Sequence, residues 1–188
     1  MVRNHNRRRR DPVNTLSKFK WFWAWQDEKE EAWLAEMAEN GYHLDSIGLP
    51  GQYIFRRGEP GNFVYRLDFQ GLKAKDRDSY YQLFADAGWE HVGDMGGWVY
   101  FRHLVNGGEI PEIYSDQESK IGKYHRVVSY LIIFLPIMII LVPRVADVEL
   151  FGPFRYLLGL LSASLLLLYS FALIQLFRRM LRLRSKGN

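Results

Sequence analysis

The sequence predicts an α+β fold: a duplicated strand-helix-strand-strand soluble domain followed by a two-helix transmembrane hairpin. Three observations carry that reading. In the first two thirds, short runs that alternate apolar and polar residues flank two segments of helical spacing, and the order strand, helix, strand, strand occurs twice. In the last third, Val127–Val142 and Tyr156–Phe177 run almost without charge. Charge also segregates: Asp27 to Glu118 holds 18 acidic and 8 basic residues, whereas residues 1–20 hold 7 basic against 1 acidic, and residues 178–188 hold 5 basic and no acid.

Residues 1–17 are basic, polar and without periodicity, which predicts a disordered tail able to touch lipid headgroups. The soluble domain is expected over 18–114. Lys18 to Trp25 reads as a strand with Phe19, Trp21, Trp23 and Trp25 on one side and Lys18 and Lys20 on the other. Asp27 with Glu30 fits a capping box, followed by Ala32, Trp33, Met37 and Ala38 at helical spacing and by Gly41 as a stop. Tyr42–Ile47 and Gln52–Arg57 read as strands about the Gly48–Gly51 turn, and Asn62–Phe69 alternates strictly. A second helix is expected from Asp76 to Ala87 with Gly88 as its stop, then strands Trp89–Gly93 and Trp98–Leu104 about Gly96 and Gly97. The two halves align: Trp33, Met37, Gly41 and Tyr42 correspond to Tyr80, Phe84, Gly88 and Trp89, and Gly51, Phe55 and Arg56 to Gly97, Phe101 and Arg102.

Ser115 with Glu118 opens a juxtamembrane helix over 115–126 that can continue unbroken into a hairpin over 127–177, with a basic tail over 178–188. Tyr156–Phe177 is uncharged over 22 residues, enough to cross about 30 Å of hydrocarbon. Val127–Val142 covers only about 24 Å, so Tyr124, Arg126 and Arg144 must snorkel to complete a span. Gly159 and Ala163 form a small-residue pair suited to membrane helix packing. Basic residues flank the hairpin on both sides and no apolar leader follows Arg7–Arg10, so both termini are expected in the cytoplasm of a two-span membrane protein. The absence of cysteine agrees with a domain that stays in the cytosol.

The acidic middle of the chain would repel phosphate, so direct nucleic-acid binding is not expected. His43, His91 and His103 lie near acidic residues but show neither the i, i+4 pair nor a His-x-His strand spacing, so neither a metal nor a cofactor is expected. The glycine-rich runs 58–61 and 93–97 join strand to strand and read as turns rather than phosphate loops. No catalytic residue set emerges. Strand parity is more informative: if Phe55 and Phe101 point under the helices, Ile54, Arg56, Trp98, Tyr100 and Arg102 share the opposite face with Arg66 and Asp68. Aromatics beside arginines suit an anionic or aromatic ligand or a protein partner. In the alternative, the arginines pair with carboxylates and the aromatics fill a second core.

The segments EAWLAEMAENGYHL (31–44), RGEPG (57–61), VYRLDF (64–69), AGWEHVG (87–93), GWVYFR (97–102) and SDQESKI (115–121) resemble the bacterial domain-of-unknown-function family 2812 over about residues 18–126. That resemblance implies two C-terminal membrane helices and genes often near PadR-type transcriptional regulators, and it brings no catalytic residues. The expectation is therefore a membrane-anchored cytosolic sensor or adaptor that binds a ligand or a protein partner, the regulatory protein among them. An accessory subunit of a membrane transporter and an unrecognised membrane-bound enzyme are the alternatives, and the sequence leaves oligomeric state open.

Overall fold

The computed structural model describes residues 14–48, 51–71, 77–105, 107, 112–114, 117–146 and 154–185. The chain divides into two compact units, one of Met1–Asp68 with Ala74–Ile113, the other of Phe69–Lys73 with Tyr114–Asn188. Among the described residues the fold is α+β, with two small antiparallel sheets and four helices.

In the first unit, β1 (Thr15–Phe19), β2 (Tyr42–Gly48) and β3 (Gln52–Arg57) form a sheet of order β1-β3-β2, with α1 (Asp27–Glu39) between β1 and β2. Strands β4 (Phe63–Phe69), β5 (Glu90–Met95) and β6 (Trp98–Leu104) form a second sheet of order β4-β6-β5, with α2 (Arg77–Asp86) between β4 and β5. The β5-β6 hairpin closes through Gly96 and Gly97, whose φ values of 58° and 89° are the paired left-handed conformations that a two-residue turn between right-twisted strands requires.

Two local expectations are corrected. The first strand lies at Thr15–Phe19 rather than over 18–25, and so begins inside the segment read as tail. Lys20 N–H donates to Gly51 O at 3.0 Å, after which Gln26 N–H bonds back to Trp23 O at 2.7 Å in a turn that ends the extended run. Within that run Phe22 turns inward against Trp33 and Tyr53, leaving Phe19, Trp21 and Trp23 exposed. The capping box at Asp27 is also absent: Gln26 is the N-cap residue without a side-chain cap bond, and Asp27 and Glu30 are buried. A carboxylate in a first helical turn complements the helix dipole whether or not it caps, so sequence spacing does not separate the two uses. The Ser115 cap lies outside the described residues.

Among the described residues two buried clusters fill the first unit. One gathers Leu34, Met37 and Ala38 of α1 with Leu44, Tyr53 and Phe55 of the first sheet and Tyr65, Leu67 and Tyr100 of the second. The other gathers Val64, Trp89, Val99 and Phe101, covered by Tyr80, Tyr81 and Phe84 around α2. Strands β4 and β6 are thus packed on both faces, and Val99, Tyr100 and Phe101 are all buried in succession. This corrects the picture of an open face carrying Trp98 and Tyr100.

In the second unit α3 (Gln117–Ala146) is one uninterrupted helix, and it packs along α4 (Phe154–Ser185). Tyr124, Val127, Leu176 and Met180 are buried, and the Tyr169 hydroxyl donates to Leu131 O. Arg126 Nε donates to Phe69 O, and the Phe69 ring meets Tyr130 edge-on at 5.5 Å. Among the described residues one helix, Tyr156–Ser185, is long and apolar enough to cross a membrane, with a peak mean hydropathy of 2.3 over a window that is 0% buried. Leu157, Leu160, Leu161, Leu165 and Leu167 all stand exposed along it.

Candidate functional site

The loop from Gly58 to Asn62 joins β3 to β4 and folds back onto β2, and its course depends on the turn that ends α1. Gly41 has a φ of 79°, and a Cβ there would stand 2.7 Å from Gly58 O. Gly58 N–H donates to Gly41 O at 2.9 Å and Gly61 N–H to Ala38 O at 3.1 Å, so the loop is tied to the helix end by its backbone. Gly41→Ala is expected to destabilise the first unit by about 1–3 kcal/mol through left-handed strain and this close approach, read as a lowered melting midpoint.

Beneath the loop lies an open groove of about 480 Å³, on which Arg56, Arg57, Arg102, His43, Glu59 and Phe63 converge. His43 Nε2 lies 2.8 Å from Glu59 O. A carbonyl oxygen only accepts, so Nε2 donates, and Nδ1 is buried without a hydrogen-bond partner among the described residues. The Phe63 ring stands edge-on to His43 at 5.1 Å, and the Arg102 guanidinium lies 5.4 Å from the Phe63 centroid.

The three arginines differ in how strongly they are held. Arg102 makes a bidentate pair with Glu90, Nε and Nη2 each donating at 2.8 Å. Burial pulls its pKa down, but Glu90 outweighs burial and the net shift is upward, which keeps the guanidinium charged. Arg56 donates to Asp45 at 2.6 Å while its side chain stays 45% exposed. Arg57 is exposed and has no side-chain partner among the described residues.

Of the residues expected to form a site, Arg56 and Arg102 are brought together on this groove. The other four are placed elsewhere. Tyr100 is 1% exposed, and its hydroxyl donates to Glu30 at 2.7 Å; Trp98 packs against the same core. Arg66 donates to Tyr65 O and to Glu112, and lies 3.6 Å from Glu31. Asp68 is buried and accepts from the Tyr80 hydroxyl at 2.7 Å. For these four the second-core alternative describes their surroundings, because β4 and β6 are covered on both faces. In α4, Gly159 is half-buried with open space where its Cβ would stand, and Ala163 is exposed.

Sequence reasoning passed over Arg57, His43 and Phe63 as site residues. It also passed over a buried acidic cluster: Glu30 accepts from Tyr53 at 2.6 Å and from Tyr100 at 2.7 Å, and the next residue, Glu31, accepts from Leu67 N–H at 2.8 Å. Burial pushes the Glu30 carboxyl above its ordinary range against the pull of the two phenols, and burial beside Glu30 likewise raises both tyrosines. On the second sheet, His91 stacks on Tyr81 at 4.1 Å and bonds Asp94 at 3.1 Å. Burial and the bond to Asp94 push Tyr81 up to about 12. Among the described residues no three His, Asp or Glu side chains gather in a way that could hold a metal ion.

A family model described as a protein of unknown function, DUF2812, matches residues 26–135, from the N-cap of α1 into α3. No curated protein and no solved structure matches the chain.

Proposed function

We propose, for a chain that belongs to the DUF2812 family of proteins of unknown function, a membrane-anchored sensor or adaptor whose first unit holds a carboxylate- or phosphate-bearing ligand in the Arg56–Arg57–Arg102 groove. The observation that carries this reading is Arg57: an exposed guanidinium with no partner among the described residues, beside two arginines already oriented by Asp45 and Glu90. Planar guanidinium forks hold such anions bidentately, and Phe63 adds an aromatic wall for an attached ring or chain. Guanidinium groups stay protonated at neutral pH, so the groove favours binding over proton transfer.

The test is recovery of small anions with the full chain from a detergent extract, identified by mass spectrometry. Arg57→Ala should lose the anion that the parent retains, by about tenfold or more, while its stability stays within about 0.5 kcal/mol of the parent's. Equal recovery by parent and variant would remove the groove from the account.

Anchoring is assigned to α4 together with the apolar part of α3, as a two-span hairpin with both termini in the cytoplasm. The apolar, unburied surface of α4 and the basic residues Arg178, Arg179, Arg182 and Arg184 at its end support this. Reporter fusions after Gly108 and at the C-terminus should both read cytoplasmic, and an external signal from either would overturn the topology. The first unit is read as a duplication, supported by the matching sheet orders and by the cross-strand pairs His43–Arg56 and Glu90–Arg102 at corresponding positions. A regulatory protein of the PadR type, responding to groove occupancy, is the partner such an adaptor would serve.

A further inference from the structure

We propose that the aromatic ridge of residues 19–23 is a second membrane contact, seated in the headgroup region of an anionic leaflet; it rests on the anchoring by α4 described above. Phe19 is 70% exposed, Trp21 52% and Trp23 36%, although Phe22 between them is packed against Trp33 at 5.7 Å. The outward rings are ordered against each other: Trp21 meets Trp23 edge-on at 5.8 Å, and Trp23 stacks on Trp25 at 5.3 Å with the planes 3° apart. The backbone beneath them is fixed by Lys20 N–H to Gly51 O at 3.0 Å and by the Trp23 to Gln26 turn. A preformed ridge loses little conformational freedom on docking.

Indole and phenyl rings with an apolar body favour the membrane interface, and tryptophan is the side chain most typical of that layer. The charge on the ridge selects the leaflet. Residues 15–26 carry two lysines and no acid; five arginines precede them, and the stretch that follows, Asp27 to Glu118, holds 18 acidic against 8 basic residues. Lys18 is exposed, and the Lys20 ammonium lies 4.5 Å from the Trp33 ring at the base of the ridge. Anionic headgroups attract this patch and repel the acidic remainder, so the same field that binds the ridge also orients the unit.

The chain has no cysteine, so a single introduced one reports without background. Full-length protein in lipid nanodiscs would be labelled with an environment-sensitive fluorophore at Phe19→Cys, Trp21→Cys, Leu83→Cys on exposed α2, or Leu167→Cys on exposed α4. Quenching by lipids carrying nitroxides at headgroup or mid-chain depth is then read. In discs with about one third phosphatidylserine, the labels at positions 19 and 21 should be quenched from headgroup depth at least about twofold more than the label at 83, and Lys18→Glu or high salt should reduce the difference. Labels at 19 and 21 no more quenched than the one at 83, with 167 quenched from mid-chain depth, would overturn the inference and leave the ridge to solvent or a protein. Equal quenching in discs of phosphatidylcholine alone would overturn the choice of an anionic leaflet. A label at 167 untouched by mid-chain quenchers would overturn the anchoring itself, which separates the two failures.

Discussion

Phe101→Ala is expected to cost the first unit about 3–5 kcal/mol. Its ring is 0% exposed, stacks on Phe84 at 4.2 Å and lies 5.8 Å from Tyr80, so truncation leaves a cavity between the second sheet and α2. That helix has no fully buried residue of its own. Its attachment depends on partly buried rings closing over Phe101. All six tryptophans lie between Trp21 and Trp98, so tryptophan emission follows this unit without interference from α3 and α4. A domain of about 100 residues loses roughly 4–8 °C of melting temperature per kcal/mol, so the expected drop exceeds about 10 °C. Arg102→Ala is the comparison. It removes the pair with Glu90, whose side chain is 61% exposed against 20% for Arg102, and a pair with one partner so exposed contributes less than a buried aromatic ring. A Phe101→Ala melt within a degree or two of Arg102→Ala would show that the second core does not hold α2.

Boundaries were legible where turn residues flank an alternating run. Strands β3 and β6 fall where the sequence places them, β4 starts one residue later, and α1 ends at the expected glycine turn. The first strand was misplaced because the alternation of Phe19, Trp21, Trp23 and Trp25 imitates a strand face, whereas the paired strand ends at Phe19, and Phe22, of the opposite parity, is the ring that turns inward. The open face of β6 was misjudged although a signal was present. Trp98 to Phe101 is apolar at every position, and an unbroken apolar run marks a strand covered on both sides. The groove was less accessible. It is assembled from residues 43–45, 56–63 and 102–104, which strand pairing, the bond from Val105 N–H to Asn62 O and the backbone ties of Gly41, Gly58 and Gly61 bring together. Arg56 and Arg102 were identified through strand parity, as the face opposite Phe55 and Phe101, whereas Arg57 has the other parity.

The two sheets of the first unit are joined by polar contacts as well as by the shared core, and α1 supplies them. Glu30 accepts hydrogen bonds from Tyr53 of the first sheet and Tyr100 of the second, while Glu31 accepts from the Leu67 backbone and faces Arg66. A helix of the first half therefore fixes the strands of the second. This frame sets the distance between Arg56 on one sheet and Arg102 on the other, and hence the width of the groove.

Glu30 should accordingly make the stability of the first unit depend on pH in a direction opposite to that of a carboxylate whose pKa folding lowers. Burial, aided by the nearby Asp27 charge, raises its pKa above the ordinary 4.5, outweighing the two phenol hydrogen bonds that favour the ionised form. The folded state then binds this proton more tightly than the unfolded chain does. Its contribution to stability is complete below the ordinary glutamate range and is lost as pH rises through the raised folded value. Glu30→Gln keeps an acceptor for the phenols and does not ionise. The parent should therefore melt progressively lower relative to Glu30→Gln as the pH is raised from about 5 to 8, every other titrating group being common to both proteins. Glu30→Leu should behave differently: with no acceptor, at least one of the Tyr53 and Tyr100 hydroxyls is left buried and unpaired, at roughly 1–3 kcal/mol. Its deficit should be largest at low pH, where the parent carboxyl is protonated and costs nothing to bury. A parent-minus-Gln difference that stays constant across that pH range would mean that Glu30 titrates as it does in the unfolded chain, and that the carboxylate is solvated rather than held between the sheets.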